Sequence, residues 1–309
     1  MNFRTEVKSP QYPFKFQYKD PAIAIGSCFT ENIGGKLRNQ GFNILLNPYG
    51  IIYNPFSVFD GIDLILQKRE FQKEDLFQMG GLWHSWKHHG SYSSASMEQT
   101  LTSINRDIEK SHDQLLNSKF LFITLGTAWV YEHHSVGIVA NCHKVPNKEF
   151  TKRLLSVDEI KNIGKEMLDK LSSKVPDMHV LFSISPVRHW KDGAQENALS
   201  KAVLRTAIHE LYDQDHFHHY FPAYEMLVDD LRDYRFYAKD MLHPSETAID
   251  YVWEKFAAAL FDENTRAMLK DLEKLNKLKS HRGIHSETDS EMITEKEIEL
   301  QRKYKHLLT

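Results

Sequence analysis

Short apolar runs alternate with longer segments of helical periodicity along most of this chain. The runs predict strands at residues 22–25, 42–46, 120–125, 179–184 and 216–221. Apolar residues that recur every three or four positions predict helices at residues 30–39, 97–116, 156–171, 197–212, 224–231 and 244–260. Apolar strands separated by helices are typical of βαβ units, which form a parallel sheet covered on both faces. The pattern therefore predicts one doubly wound α/β domain over residues 1–262.

The end of the chain has a different character. Residues 263–309 contain ten Lys or Arg and nine Asp or Glu, and they show no strand pattern. Met268, Leu272, Leu275 and Leu278 recur at helical spacing and predict an amphipathic helix at the start of this segment. We interpret residues 263–309 as a charged tail, partly helical or disordered. A solvated helix with a frayed end is the simpler interpretation, and a partner-binding helix is the alternative.

Composition and charge narrow the classes of protein further. The chain has 309 residues and is 41% hydrophobic, so it can build a large core. Its formal net charge is −3, so it has no overall positive electrostatic field that would attract nucleic acid. No apolar run approaches the roughly 18 residues that span a membrane, and the first residues do not read as a signal peptide. Cys28 and Cys142 are the only cysteines. We therefore expect a cytoplasmic protein that binds neither nucleic acid nor membrane.

The first candidate for chemistry is the turn between the first strand and the first helix. Ser27 and Cys28 follow Gly26 there. Ligands of open α/β sheets bind outside the carboxyl ends of the strands, and a helix N-terminus stabilises negative charge. Cys28 is therefore a candidate nucleophile. A tight turn that buries a small residue is the simpler interpretation.

The second candidate lies just before the last predicted helix. Asp240 and His243 are three residues apart, so the carboxylate can orient the imidazole and stabilise its protonated form. Pro244 is predicted to begin the helix, at a position that proline favours. The simpler interpretation is an Asp that caps a turn beside a surface His. A nucleophile and its base need only be neighbours in space, however, so the two candidates support each other.

Other chemistry finds little support in the sequence. His84 and His88 have the spacing of two zinc ligands on a helix, but glycines at 80, 81 and 90 indicate a loop. The turn at Gly26 lacks the further glycines of a dinucleotide-binding motif, and no Walker motif occurs. We expect no metal site and no cofactor.

Seven short motifs together resemble the GSCFA branch of the SGNH (GDSL-type) hydrolase superfamily. They lie at residues 26–30, 47–55, 125–129, 141–144, 185–189, 234–237 and 240–244. The similarity extends over roughly residues 3–261, with Thr30 where the namesake motif has Ala. It implies a three-layer α/β/α fold with a mainly parallel, five-stranded, flavodoxin-like sheet. From the wider superfamily, it implies hydrolysis or transfer of acyl esters, with O-acetylated carbohydrate as the favoured substrate class.

The resemblance assigns roles to residues at the start and end of the domain. When Gly26, Thr30 and Glu31 are matched to the superfamily's first block, Cys28 takes the place of the nucleophilic Ser. An alignment shifted by one residue makes Ser27 the nucleophile instead. Asp240 and His243 match the final block, which supplies the base.

The oxyanion-binding blocks match only in part. Gly50, in the motif that begins at Asn47, matches the glycine whose backbone N–H faces the oxyanion. The next block has Gly126 and Thr127 followed by Ala128, where the superfamily has an Asn. Loss of one oxyanion donor costs about 3 kcal/mol.

Four further residues are candidates for contacts with the substrate. Asn141 and His143 are candidates to replace the missing donor. Arg188 and His189, just after the strand at 179–184, are candidates to hold a substrate anion or carbonyl.

These observations predict an acyl-ester hydrolase or acyltransferase that acts on a small-molecule or carbohydrate ester. The alternative is a non-catalytic ligand-binding protein on the same scaffold, which Ala128 favours. The sequence does not predict the oligomeric state.

Overall fold

The computed structural model describes residues 4–211, 218–280 and 287–308. Within these residues the strands are Ala22–Gly26 (β1), Ile44–Leu46 (β2), Leu76–Met79 (β3), Leu82–Ser85 (β4), Phe120–Leu125 (β5), Trp129–His133 (β6), Gly137–Val139 (β7), Phe150–Leu154 (β8), His179–Ile184 (β9) and His218–Phe221 (β10). The longer helices are Cys28–Asn39 (α1), Pro55–Leu66 (α2), Met97–Asn117 (α3), Val157–Lys174 (α4), Ala194–Leu211 (α5), Glu246–Leu260 (α6), Glu263–Ser280 (α7) and Glu287–Lys303 (α8).

Five strands form one parallel sheet in the order β10-β9-β5-β1-β2. From β1 the chain moves to one edge at β2, and from β5 it moves to the opposite edge at β10. The strand order therefore reverses between β1 and β5. In such sheets ligands bind in the crevice at the carboxyl ends of these two strands.

Helices cover both faces of the sheet, and the side chains of the central strands are buried on both faces. On one side Ile23, Ile25 and Ile123 pack in a cluster with residues of α2, α3, α4 and α5. On the other side Ala24 and Phe122 pack with residues of α1, α6 and α7. Alternate residues along a strand point to opposite faces, so each strand contributes to both clusters. The predicted three-layer α/β/α fold is confirmed.

Most predicted elements of the sheet are found, with small shifts at their ends. The strands at 120–125 and 179–184 have the predicted limits, whereas the strand predicted at 42–46 begins at Ile44. The predicted strand at 216–221 lies partly outside the described residues, and its described part is β10. The helix predicted at 224–231 is largely a π-helix, Met226–Leu231.

The prediction that Pro244 begins the last helix is wrong. Ser245 is the N-cap of α6, and its hydroxyl accepts a hydrogen bond from the Ala248 N–H. Ser is a preferred N-cap because its side chain satisfies one of the free N–H groups of the first turn.

Helix α2 and two small antiparallel sheets are not evident from the sequence pattern. One sheet is the hairpin β3–β4, and the other has the order β7-β6-β8. Helix α2 is buried around most of its circumference, so it lacks the one-sided apolar pattern of a surface helix. The strands of the small sheets are short and carry charged residues such as Glu132 and Arg153, which weakens their apolar signal.

The start of the predicted tail packs against the domain. Met268, Leu269 and Leu275 of α7 are buried, and Leu269 belongs to the same cluster as Phe261. The Tyr304 hydroxyl donates to the Asp271 carboxylate at 2.8 Å, which joins the end of the chain to α7. The domain boundary at 262 stays a prediction. No helix in the described part of the chain is long and apolar enough to cross a membrane.

Candidate active site

Cys28 lies in the crevice where the strand order reverses. Gly26 has a φ of 149°, and a Cβ on it would lie 2.2 Å from the Thr124 carbonyl oxygen, so only glycine allows β1 to turn into α1 this close to β5. Cys28 is the first residue of α1 and is half-buried. Burial raises the pKa of its thiol, while the backbone N–H groups of Phe29 and Cys28 and the charge of Lys201 act in the opposite direction. In the free protein Cys28 is therefore a thiol that needs a base.

Ser27 has a structural task in the same turn. It is the N-cap of α1, where its hydroxyl accepts a hydrogen bond from the Phe29 N–H at 3.3 Å, and it is only 3% exposed. This cap explains why α1 begins at Cys28 and not at Thr30, where the periodicity placed it. Of the two candidate nucleophiles, Cys28 is therefore the less buried.

Asn47 and Gly50 form a turn that supports the turn carrying Ser27 and Cys28. The Asn47 Oδ1 accepts from the Gly26 N–H at 2.9 Å, and its Nδ2 donates to Glu31 at 2.5 Å. The Gly50 N–H donates to the Asn47 carbonyl at 2.7 Å. The N–H predicted to face an oxyanion is therefore engaged in its own turn. The role predicted for Gly50 stays a prediction, and it requires that hydrogen bond to be shared or broken.

Gly126 and Thr127 lie at the opposite side of the crevice, after β5. Both backbone N–H groups donate to the Tyr53 carbonyl, at 2.7 and 3.3 Å respectively. The Thr127 hydroxyl lies 2.9 Å from the Ser200 hydroxyl, which also accepts from the Ala128 N–H at 2.8 Å. A Cβ on Gly126 would lie 2.8 Å from the Tyr53 Cβ, so the segment is tightly packed. Through Ser200, helix α5 thus holds Thr127 and Ala128, the segment where the superfamily has an Asn and this chain has Ala128.

Asp240 and His243 form the pair that the sequence predicted. The Asp240 Oδ2 lies 2.6 Å from the His243 Nδ1, and its Oδ1 accepts from the N–H groups of Leu242 and His243 at 2.9 and 3.0 Å. These backbone hydrogen bonds, and then the one from the imidazole, lower the pKa of Asp240 to about 2. The carboxylate is therefore ionised near neutral pH and holds the Nδ1 proton in place. The Nε2 of His243 has no partner within the described ranges.

The loop that carries this pair is anchored to the same rim as Cys28. The Arg188 N–H, just after β9, donates to the Leu242 carbonyl at 3.3 Å. The ring of His189 lies 5.4 Å from that of Tyr53. Burial, and then the charges of Lys201 and His243, lower the pKa of His189 to about 4, and this places His189 in the field of both. Arg188 itself is half-buried, and its guanidinium has no ion-pair partner among the residues that the structure describes.

The structure does not join the base to the nucleophile. In the described parts of the chain, no hydrogen bond links His243 to Cys28 or to Ser27. The His243 and Asp240 side chains are each 48% exposed, whereas Cys28 is half-buried at the end of the sheet. Catalysis through this pair therefore requires the His243 Nε2 and the Cys28 thiol to come within hydrogen-bonding distance in the substrate complex.

Sequence analysis missed the most buried charged group at this rim. Lys201 is 2% exposed, and its ammonium donates to the carbonyls of Gly126 and Ser185 at 2.6 and 2.7 Å. A signal was present, because Lys201 lies on the buried stripe of α5 that continues through Leu204 and Ile208. A lysine on such a stripe is unusual and indicates a specific partner.

An open pocket of about 450 Å³ lies beside the crevice. Its wall combines aromatic, polar and charged side chains: Tyr53, Thr127, Trp129, Tyr131, Asn141, Cys142, His189, Lys191 and Asp192 are among them. Among the predicted site residues, Thr127, Asn141 and His189 line it. Cys28, Gly50, His143 and His243 do not.

Asn141 and His143 are placed differently from each other. Asn141 faces the pocket, although its Oδ1 accepts from the His143 N–H at 2.9 Å. His143 is 7% exposed, and its Nε2 donates to the Ser85 carbonyl at 2.8 Å. Asn141 is therefore the better placed of the two to reach a ligand.

The fold and this site can be compared with known proteins. The model of the GSCFA family matches residues 21–256, which includes Cys28 and the Asp240–His243 pair. The chain belongs to the GSCFA family. No curated protein matches this GSCFA chain. A solved structure described as "a putative platelet activating factor from Streptococcus pneumonia" is similar to it with a TM-score of 0.41 and 12% identity, over 79% of this chain and 85% of that one.

Two buried histidines, His88 and His143, and the half-buried His189 predict how the stability of this GSCFA protein depends on pH. Burial lowers the pKa of His88 to about 3 and those of His143 and His189 to about 4. An unfolded His binds a proton near pH 6.5, so the unfolded state takes up more protons as the pH falls. We expect the stability present above about pH 6.5 to decrease towards pH 4, by up to about 1.4 kcal/mol per pH unit for each His. Urea unfolding at a series of pH values measures this slope.

His88→Phe tests the largest of these contributions. His88 stacks on Tyr49, with ring centroids 4.5 Å apart, and a Phe ring can keep that contact. From about pH 7 to about pH 5, the variant should lose up to about 2 kcal/mol less than the wild type. His134→Phe, at an exposed position, is the matched control. Equal losses in the wild type and His88→Phe would show that His88 is not a source of the pH dependence.

Proposed function

We propose that this protein cleaves or transfers acyl groups from esters, with Cys28 as nucleophile and His243 as general base. The observation that carries the proposal is the 2.6 Å contact between the Asp240 Oδ2 and the His243 Nδ1. It fixes the proton on Nδ1 and leaves Nε2 free to accept another. Membership of the GSCFA family and the position of Cys28 at the switch point of the sheet support the proposal. The motifs at Gly26 and Asp240 favour placement in the SGNH superfamily.

The reaction proceeds in two halves. His243 Nε2 takes the proton of the Cys28 thiol as the sulfur attacks the ester carbonyl carbon, which becomes a tetrahedral oxyanion. The oxyanion collapses, the bond to the alcohol oxygen breaks, and that oxygen takes the proton from Nε2. A thioester on Cys28 remains. Water, or an acceptor alcohol, then attacks the thioester with His243 again as base, and the thiol is restored.

The favoured substrate is an O-acetylated carbohydrate. The pocket beside the crevice presents aromatic rings of Tyr53, Trp129 and Tyr131 together with the polar groups of Asn141 and Asp192. Aromatic faces stack on sugar rings, and the polar groups suit sugar hydroxyls. Thr127 and His189 line the pocket too, so a sugar held there has its ester near the strand ends.

Detection of the acyl-enzyme tests the proposed function. We expect p-nitrophenyl acetate to acetylate Cys28, and O-acetylated oligosaccharides to release acetate faster than p-nitrophenyl butyrate releases butyrate. Peptide mapping after an acid quench locates the acetyl group. Cys142, the second free thiol, lies in the pocket wall and serves as an internal control. Acetylation of Cys142 alone, or of neither cysteine, would contradict the proposal.

The second candidate function is ligand binding without catalysis. Ala128 in place of an amide donor, the engaged N–H of Gly50 and the raised pKa of the Cys28 thiol favour it. It predicts that acetylated sugars bind in the pocket and are recovered unchanged. Calorimetry with an acetylated oligosaccharide, followed by an assay for free acetate, separates the two functions.

A further inference from the structure

Lys201 is a buried cation that neither half of the proposed reaction uses. Its ammonium donates to the carbonyls of Gly126 and Ser185, the residues directly after β5 and β9. Lys201 thus holds together the ends of two neighbouring strands at the rim of the crevice. The ring of Tyr224 lies 5.7 Å from its Nζ, which adds a weak cation–π contact.

This cation has no counter-charge of the usual kind. Throughout the residues that the structure describes, no carboxylate pairs with Lys201, and only two of its three N–H donors have partners. Burial lowers its pKa to about 7, so it is partly charged near neutral pH. A buried charge without a counter-charge is costly even when it is hydrogen-bonded, and perturbed charged groups of this kind cluster at functional sites.

Cys28 is the group that gains from this charge. Cys28 follows β1, and Lys201 binds the Gly126 carbonyl directly after β5, the strand that pairs with β1, so both groups lie at the same rim of the sheet. At this rim the charge of Lys201 favours the Cys28 thiolate, and the thiolate favours protonated Lys201. Lys201 also sits beside the stretch where the amide donor is missing, because the preceding residue, Ser200, binds the Ala128 N–H and the Thr127 hydroxyl.

We propose that Lys201 is a positioning residue for Cys28. Lys201 sets the two strand ends in place and supplies the positive charge that stabilises the Cys28 thiolate. The inference rests on the proposed function only in taking Cys28 as the nucleophile. When Lys201 is charged, Cys28 loses its proton more readily, and the sulfur reacts faster.

Several other groups face this pair and bear on its titration. Arg188, after β9, opposes protonation of Lys201, and His189 is in the field of Lys201. Tyr53, before α2, lies in the field of Cys28. On α1 itself, Glu31 is held by the amide of Asn47. None of these groups changes in the variants below, so a difference between them reports on Lys201.

Alkylation of Cys28 as a function of pH tests the inference without any substrate. We expect Lys201→Met to react with iodoacetamide about tenfold more slowly at Cys28 than the wild type near pH 6, where Lys201 is charged. The ratio of the wild-type rate to the Lys201→Met rate should fall towards one above about pH 9, where Lys201 has lost its proton. Lys152→Met, which removes a cation near Trp129, is the matched control and should leave Cys28 unchanged. Cys142 reports general access of the reagent.

A purely structural Lys201 would give a different result. In that case the ratio of the two alkylation rates would not vary with pH, and this outcome would overturn the inference. If the wild type cleaves no ester but the ratio of alkylation rates still varies with pH, the proposed function is wrong and the inference about Lys201 stands.

A second measurement keeps Lys201 in place, in case Lys201→Met does not fold. Iodoacetate leaves a negative charge on Cys28, whereas iodoacetamide leaves a neutral group of nearly the same size. In protein with Cys142 replaced by Ala, NMR of labelled lysine follows the titration of Lys201. We expect the carboxymethylated protein to hold the Lys201 proton to a pH about one unit higher. Equal midpoints in the two proteins would refute the proposed interaction.

Discussion

Cys28→Ala should abolish ester cleavage, with kcat/KM for p-nitrophenyl acetate lowered by about 10⁴-fold or more, because removal of a covalent nucleophile leaves only binding and oxyanion stabilisation. Ser27→Ala should keep most of the activity. Its hydroxyl caps α1 and is buried, so the expected cost is about 1 kcal/mol of stability. Steady-state kinetics and thermal unfolding of both variants separate the two effects.

The neighbouring thiol provides the control for this comparison. Cys142→Ala removes the other free cysteine, which lies in the wall of the proposed sugar pocket. We therefore expect a change in KM for a sugar ester, whereas p-nitrophenyl acetate should still acetylate Cys28. If Ser27→Ala is the inactive variant and Cys28→Ala is active, the alignment shifted by one residue is correct and Ser27 is the nucleophile.

His243→Ala should lower kcat by about 10³- to 10⁴-fold, since the half-buried thiol of Cys28, whose pKa is raised, then has no base. Asp240→Asn should have an effect of similar size. The pKa of Asp240 is about 2, so its carboxylate is ionised near neutral pH and accepts the Nδ1 proton of His243. An amide in its place leaves the imidazole free to adopt the wrong tautomer.

The same loop offers a matched control for the Asp240 variant. Asp233 caps the turn Tyr234–Phe236 by accepting from the Arg235 N–H at 2.9 Å, and it has no contact with His243. Asp233→Asn should therefore leave kcat unchanged. Added imidazole should restore part of the activity of His243→Ala and none of that of Cys28→Ala. An active His243→Ala would exclude this residue as the base.

The central sheet was predictable because its strands are continuous apolar runs between helices. Burial on both faces makes β5 and β9 predominantly apolar, with Thr124 the polar residue of β5 and His179 and Ser183 those of β9, so the apolar run marks their limits. The wall of the pocket was not predictable in the same way. Strands β6 and β8 are five residues each and mix apolar with charged residues, such as Glu132 in β6 and Lys152 and Arg153 in β8, so neither forms a continuous apolar run. They lie in a small antiparallel sheet, where they pair with each other.

The candidate site divides along the same line. The pairing of Asp240 with His243 is a local matter of three residues, so spacing was enough to predict it. Spacing was also enough to bring Cys28 to the end of β1. Spacing could not show that the Gly50 N–H donates to the Asn47 carbonyl. The hydrogen bonds of a short turn depend on its backbone conformation, which the surrounding strands set.

The order of residue types along the chain alone determined that five strands and their helices form layers, that a thiol follows the first strand, and that an Asp–His pair precedes the helix Glu246–Leu260. Only the folded chain decided which groups lie near that thiol. Lys201 is remote from Cys28 in sequence, and its burial beside two strand ends depends on the packing of α5. Burial and distance set electrostatic interactions, and both are properties of the tertiary structure.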